Sequence, residues 1–316
     1  MRAIEPELIR NIAARGEYLD VMKQYFPFPR VLNVELTNHC NLRCVMCLRD
    51  LVRPAGFMDE ALFRKVVDEA ALYGAKLWLN FAGEPLLHKS FFELARYCRE
   101  KPLQSVNINT NATLLTEDVG KELLDCGLEA VALSFDSTEK ETYETIRVNA
   151  DFESTLENVL RFIRLRDQSG SRVKIFIFAV RQERNEHERD ALRQFWRSRV
   201  SKEDRVVFLR FNTLGGQLGR PSGSTGTRKG ERLPCLQLWR NIVVLWNGDA
   251  VMCCGDFRGT HVMGNVSERT LREIWFGDDY RRLRMAHLED DYRDFEFCGN
   301  CGEWRFEGGH GRYERL

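Results

Sequence analysis

Cys40-Asn41-Leu42-Arg43-Cys44-Val45-Met46-Cys47 is the stretch that decides the fold. Its spacing is C-x3-C-x2-C, and it follows residues 31–35, a short apolar run that predicts a first strand. The cysteines therefore fall in a loop at the carboxyl end of that strand. Three thiolates this close cannot pair off as disulfides without leaving one over. Zinc wants four ligands, and His39 is a candidate for the fourth, although no second cysteine pair lies nearby. A cubane [4Fe–4S] cluster is normally held by four cysteines. Three cysteines leave one iron with an open coordination site, where a small molecule can bind the metal directly.

Outward from this loop, strand and helix patterns alternate. Residues 59–73 predict a helix, with apolar positions at Leu62, Val66, Ala70 and Tyr73. Strands follow at 76–80, 105–109, 130–134, 173–178 and 205–210, separated by helical stretches at 90–100, 117–126, within 139–166, and at 186–197. Six β-then-α units predict an α/β fold, a parallel sheet with helices outside. Right-handed crossovers curl such a sheet into an open partial (β/α)6 barrel. Catalytic groups are then expected on loops at the carboxyl ends of the strands.

The flanks divide the chain further. Residues 1–30 predict a short helical extension ending at the stiff Phe26-Pro27-Phe28-Pro29, and 31–211 the barrel. Residues 212–232 hold Gly215, Gly216, Gly219, Pro221, Gly223, Gly226 and Gly230, which predicts a linker or lid. In the remaining 233–316, residues 242–246 and 250–253 flank Asn247-Gly248-Asp249, a hairpin signal. A short helix over 270–275 and a cysteine pair complete a small, metal-dependent appendage with a tail.

Lys plus Arg equals Asp plus Glu at 47 each, so the chain lacks the basic surplus that nucleic-acid or membrane-surface binding wants. No apolar run approaches the roughly 18 residues of a membrane span. Residues 1–25 lack the apolar core of a signal peptide. The expectation is a cytoplasmic protein. Structural disulfides are then a poor explanation for ten cysteines, and their grouping points to metal or redox work.

At Cys40, Cys44 and Cys47 the sequence resembles the radical S-adenosylmethionine (radical SAM) superfamily, whose signature is this spacing in this loop. The resemblance implies a [4Fe–4S] cluster on these three cysteines, with the open iron taking SAM's amino and carboxylate groups. It implies that an electron from the cluster splits SAM, and that the 5′-deoxyadenosyl radical abstracts hydrogen. Phe81-Ala82-Gly83-Glu84-Pro85 is similar to the family's GGEP motif, so Gly83 and Glu84 are implied to hold SAM's amino group. Ala82 departs from the pattern, where the family has a first Gly. Asn109-Thr110-Asn111 resembles the family's TNG turn, and Ser134 and Asp136 fall where members contact SAM's ribose or carboxylate. Tyr143-Glu144-Thr145-Ile146-Arg147 resembles its Y-x-x-IR segment. Met46 stands where an aromatic is usual, and a thioether can pack on adenine. Each of these residues also has an ordinary reading as a turn or cap.

Cys235, Cys253, Cys298 and Cys301 are spaced C-x17-C, x44, C-x2-C. With Leu236-Gln237-Leu238-Trp239, Gly264-Asn265-Val266 and Glu273-Ile274-Trp275 around them, they resemble the "twitch" domain, a shortened SPASM domain. The resemblance implies that these four hold one auxiliary [4Fe–4S] cluster; a structural zinc ribbon would use the same four. Two clusters and SAM are thus the implied cofactors. Cys98 and Cys126 fall on predicted helices and read as core. Cys254 reads as filler, as a substitute ligand, or as a thiol that gives a hydrogen atom to substrate.

Small relatives of this type, similar to 2-deoxy-scyllo-inosamine dehydrogenases and aminoglycoside epimerases, imply a sugar-like substrate of the kind met in antibiotic biosynthesis. The leading expectation is oxidation of a secondary alcohol to a ketone, with the auxiliary cluster taking the electron. The alternative is epimerisation with Cys254 as hydrogen donor. A third is peptide modification, and a non-enzyme reading is a two-cluster electron carrier. Arg210, ending the sixth strand, is a candidate substrate anchor or base. The implied electron donor is of flavodoxin or ferredoxin type, with no nucleic-acid or membrane partner.

Overall fold

The computed structural model describes residue 9 and residues 18–48, 53–211, 214, 232–302 and 313–314. The predicted extension over 1–30 is described from residue 18 apart from Ile9. Nearly all of the 212–232 linker or lid and of the tail after 302 lies outside the described residues.

Six strands carry the barrel: β1 (Val31–Val34), β2 (Lys76–Trp78), β3 (Ser105–Thr110), β4 (Ala130–Ser134), β5 (Lys174–Val180) and β6 (Arg205–Leu209). They pair in chain order, and every pairing is parallel. Helix α1 (Tyr18–Tyr25) precedes them. Between them run α2 (Glu60–Leu72), α3 (Phe91–Arg99), α4 (Glu117–Asp125), α5 (Lys140–Ile146), α6 (Phe152–Ser169) and α7 (Arg189–Arg197). All five residues of β4 are buried, as a parallel strand covered on both faces requires. Helix starts are chemically marked. Asp59 accepts from the Ala61 and Leu62 amides before α2, and Asp151 from Ser154 N before α6. Such caps contribute about 1 kcal/mol each.

The sheet does not close. Its order is β10-β6-β5-β4-β3-β2-β1-β7-β8-β9, with β7 (Asn241–Val244), β8 (Asp249–Val251), β9 (Val262–Asn265) and β10 (Tyr313–Glu314). The predicted hairpin is β7–β8, and it extends the barrel sheet directly. Strand β7 lies parallel to β1, with Leu32 opposite Ile242 and Val34 opposite Val244. Beyond it come α8 (Leu271–Trp275), α9 (Asp278–Glu289) and α10 (Glu296–Asn300). Glu69 of α2 accepts from the Leu271 and Arg272 amides, capping α8 across the molecule. Buried Trp275 donates to Phe26 O at 2.9 Å. Among the described residues no helix is long and apolar enough to cross a membrane.

Two local differences have plain causes. The expected helix over 186–197 begins as α7 at Arg189, after a 3-10 turn over Glu183–Glu188. Asn185 sets that turn, accepting from Gln182 N and donating to the Asp136 and Val180 carbonyls. Helix α9 escapes the apolar periodicity because Arg284 and His287 stand on its buried face with Tyr280, Leu283 and Ala286.

Candidate functional site

The cysteine loop leaves β1 through Glu35, which is wholly buried. Its carboxylate pairs with both terminal nitrogens of Arg53, at 2.9 Å each. The same oxygens accept from Ala82 N at 3.3 Å and Trp246 N at 3.4 Å. One carboxylate thus ties together both ends of the cysteine loop, the turn after β2 and the turn after β7. Breaking a buried pair of this kind costs about 3–5 kcal/mol, because one charge is left uncompensated. Sequence reasoning missed both residues; the signal was an acid directly after the strand Val31–Val34.

Cys40, Cys44 and Cys47 are all half-buried. Nitrogens are aimed at the sulfurs: Leu42 N and Asn111 Nδ2 reach Cys40 Sγ at 3.5 and 3.8 Å, and Arg147 Nη1 reaches Cys44 Sγ at 3.9 Å. The loop backbone is pinned by Arg43 N to Val148 O and Val45 N to Ile146 O. Burial pushes the Cys44 thiol up, while Arg147 pulls it back. Three sulfurs, two of them with N–H donors in reach, suit an anionic iron–sulfur cluster. His39, the fourth ligand that zinc would need, stacks its ring on Phe57 at 4.6 Å. Met46 is half-buried in the same loop.

The turn after β2 packs backbone to backbone on this loop. A Cβ on Gly83 would stand 2.3 Å from Thr37 O and 2.5 Å from His39 O, so only glycine fits. Glu84 accepts from Leu86 N at 3.2 Å, Thr110 Oγ1 at 2.7 Å and Asn111 N at 2.8 Å, bracing the β2 turn to the end of β3. Burial raises its carboxyl to about 7 against those three hydrogen bonds. The folded protein then holds this proton more tightly than the unfolded chain, so stability falls as pH rises from 4.5 to about 7. The expected size is on the order of 3 kcal/mol across the window. Glu84→Gln should flatten that slope in thermal midpoints measured across it.

Asn109 Oδ1 accepts from Ser134 Oγ at 2.9 Å, which joins the ends of β3 and β4. Asp136 is wholly buried, with Val180 N on one oxygen and Arg147 Nε on the other, each at 2.6 Å. Burial works against the Arg147 charge, but Asp136 and then Cys44 hold it above its ordinary value. Asp136 therefore steers the guanidinium that touches Cys44.

Past Cys235, the second cysteine group follows β8 and returns with α10. Burial pushes the Cys253 thiol well up, and Cys254, Cys298, Cys235 and Cys301 add to that push. A metal bound here would deprotonate a coordinating thiol outright. Gly255 N reaches Cys253 Sγ at 3.3 Å. Buried Asp256 closes the following loop on Thr260 N, Thr260 Oγ1 and His261 N. Arg232 donates to the Cys298 and Gly299 carbonyls, and His287 Nδ1 accepts from Cys235 N at 3.3 Å.

Residues 34–195, 162 of the 316, match the Radical SAM superfamily. The chain belongs to the radical SAM superfamily. Residues 235–302 match the SPASM iron–sulfur cluster-binding domain. The AdoMet-dependent heme synthase of Methanosarcina barkeri is 34% identical over 134 residues, 42% of this chain and 38% of that protein. The tungsten-containing aldehyde ferredoxin oxidoreductase cofactor-modifying protein of Pyrococcus furiosus is 36% identical over 110 residues, 34% of this chain and 31% of that one. The matched stretch spans well under half the length of either relative. BtrN, solved with AdoMet and 2-DOIA, superposes at TM-score 0.60 and 21% identity, covering 87% of this chain and 93% of BtrN. SuiB from Streptococcus suis, solved with precursor peptide SuiA, superposes at TM-score 0.67 and 16% identity, covering 86% and 71%. At these identities the likeness establishes the fold.

A radical SAM enzyme with a SPASM-type region has a [4Fe–4S] cluster, SAM and auxiliary iron–sulfur as cofactors. The radical SAM match covers Cys40, Cys44 and Cys47, and the SPASM match covers Cys235, Cys253, Cys298 and Cys301. Cys98 and Cys126 are buried, and burial, helped at Cys98 by the neighbouring Cys126, pushes their thiols to about 12 and about 11, as core residues. Arg210 lies exposed, just past the end of β6. Cys254 parts from Cys253: it packs with Phe81 against Val243, Leu245 and Val251.

Proposed function

We propose that this radical SAM enzyme oxidises a secondary alcohol of a sugar-like small molecule to a ketone. Cys40, Cys44 and Cys47 are the ligands of the radical-generating cluster, and Cys235, Cys253, Cys298 and Cys301 those of the auxiliary cluster. When bound, these groups and SAM supply a 5′-deoxyadenosyl radical and a one-electron acceptor. Residues 31–211 form the radical-generating unit and 233–316 the auxiliary unit. Gly83, Glu84, Asn109, Ser134, Asp136 and Met46 shape the SAM pocket, with Asp136 acting through Arg147. The carbinol carbon would give a hydrogen atom to that radical and its hydroxyl a proton to a base, with the auxiliary site supplying the acceptor for the remaining electron. Arg210 is the candidate anchor for the substrate or acceptor of that proton.

The position of Cys254 carries this proposal. Cys253 stands among the auxiliary thiols, while its neighbour joins Phe81, the residue that opens the Phe81–Pro85 motif, in one small apolar cluster. On this reading an electron acceptor would stand one residue from the apolar cluster that Phe81 joins. BtrN, solved with a small molecule and matched over 93% of its length, supports the substrate class. The same thiol favours a second reading, epimerisation with Cys254 returning hydrogen to the opposite face.

Cys254→Ala separates the two readings. For an oxidase, the variant still forms ketone in step with 5′-deoxyadenosine, and Cys235→Ala does not. For an epimerase, Cys254→Ala still makes 5′-deoxyadenosine but yields no inverted product. Consumption of a precursor peptide in place of any polyol would overturn both and select peptide modification.

A further inference from the structure

Arg232 reaches directly to one of the auxiliary cysteines. Its Nη2 donates to Cys298 O and its Nη1 to Gly299 O at 3.3 Å, both carbonyls of α10. The guanidinium also lies 3.8 Å from the centre of the Tyr292 ring. Two carbonyls and an aromatic face hold the planar fork of a side chain that is otherwise long and flexible. Its charge is thereby fixed against the backbone of Cys298.

Cys298 is the thiol beside which a charge counts most. It is 6% exposed, whereas Cys235, Cys253 and Cys301 are half-buried. Solvent screens buried charges least. Burial, then Cys235 and Cys301, push the Cys298 thiol up, and the Arg232 charge opposes them. His287 supplies no second cation. Its Nδ1 accepts from Cys235 N at 3.3 Å, and burial and then the Arg232 charge push its ring down to about 3. That ring meets Tyr292 edge-on at 5.0 Å. Arg232, Tyr292 and His287 thus form one stack that runs from Cys298 O to Cys235 N. A [4Fe–4S] cluster on four thiolates is an anion, and reduction adds one more negative charge. Net charge is one of the levers on its potential, so a fixed cation at its edge favours the reduced form.

We propose that Arg232 is the counter-cation of the auxiliary cluster, held against Cys298 so that the cluster's reduction potential stays high enough to take an electron from substrate. This rests on the assignment of Cys235, Cys253, Cys298 and Cys301 as ligands. Arg232 is a positioning residue, since it acts through the cluster on the chemistry. The plain alternative is a cap on the last carbonyls of α10, which would lower the thermal midpoint when removed and leave the potential alone.

The test is an EPR-monitored redox titration in the Cys40/Cys44/Cys47→Ala protein, where the auxiliary cluster is the only one. Arg232→Gln removes the charge and keeps an amide donor for the carbonyls. It is expected to shift the reduction equilibrium at least about tenfold toward the oxidised form. That is about 59 mV lower for a one-electron couple. Arg232→Lys keeps the charge and should keep the wild-type potential. An unchanged potential in Arg232→Gln overturns the proposal, as does an equal fall in Arg232→Lys. If Arg232→Gln loses its iron, Arg232→Met takes its place. If both neutral variants lose it, Arg232→Lys decides: a cluster kept at the wild-type potential supports the charge, and a cluster lost there too overturns it. If the triple-cysteine protein holds no iron, the ligand assignment falls and takes this proposal with it. If it holds about four irons and Arg232→Gln leaves the potential unmoved, only the role of Arg232 falls.

Discussion

Replacing Cys40, Cys44 and Cys47 together with Ala is expected to lower the iron of the anaerobically reconstituted protein from about eight to about four atoms per chain, and to abolish 5′-deoxyadenosine formation. The three thiols share one loop and are half-buried, outside the apolar core. The loop has other anchors: the Glu35–Arg53 pair and the backbone bonds from Arg43 and Val45. Removing the sulfurs should therefore leave the far-ultraviolet circular dichroism unchanged while the iron halves. Substitution at Cys98 or Cys126 should do the opposite, since both are buried and packed into the core. Iron and sulfide analysis beside chromatography of the SAM products checks every part. A wild-type protein with about four irons and one zinc would make the appendage structural. Oxidation would then lose its acceptor, and a redox-neutral reaction such as epimerisation would take its place.

The barrel was legible because its strands are apolar, short and separated by helices whose buried positions recur at helical spacing, as Phe63, Val66, Val67 and Ala70 do in α2. Both cysteine groups stood out by their spacing, and the radical SAM and SPASM matches cover them. What stayed hidden depends on pairings between distant segments. Nothing in Asn241–Val244 announces that it will lie parallel to β1. Glu35 and Arg53 look like ordinary surface charges until the fold buries the acid and brings the arginine to 2.9 Å from it. Asp136 was read as facing SAM, and both its oxygens are engaged inside the protein by Val180 N and Arg147. Helix α9 was hidden because a cation, Arg284, stands on its buried face and breaks the apolar pattern.

Gly83→Ala is expected to disable the SAM site while its neighbour tolerates change. The added methyl would meet Thr37 O at 2.3 Å, His39 O at 2.5 Å and the Asn38 Cα at 2.9 Å, all backbone atoms of the segment leading into Cys40. No side chain can rotate away to make room, so the two turns must separate. Overpacking of this kind costs about 1–3 kcal/mol. The functional loss should be larger than the loss of stability. A displacement of about 1 Å at a reacting centre can cost around a hundredfold in rate, and this one moves the Cys40 loop against the turn that carries Glu84. Glu84 N donates to His39 O at 2.8 Å across the same contact, so the shift also breaks that bond. Ala82→Gly restores the family's glycine and removes one buried methyl, at about 0.8 kcal/mol, with SAM cleavage retained. SAM affinity, iron content and 5′-deoxyadenosine rate in the two variants measure the difference. Equal behaviour of Gly83→Ala and wild type would mean that the turn after β2 yields freely, and the close contact with residues 37–39 would then have no part in holding the radical-generating site.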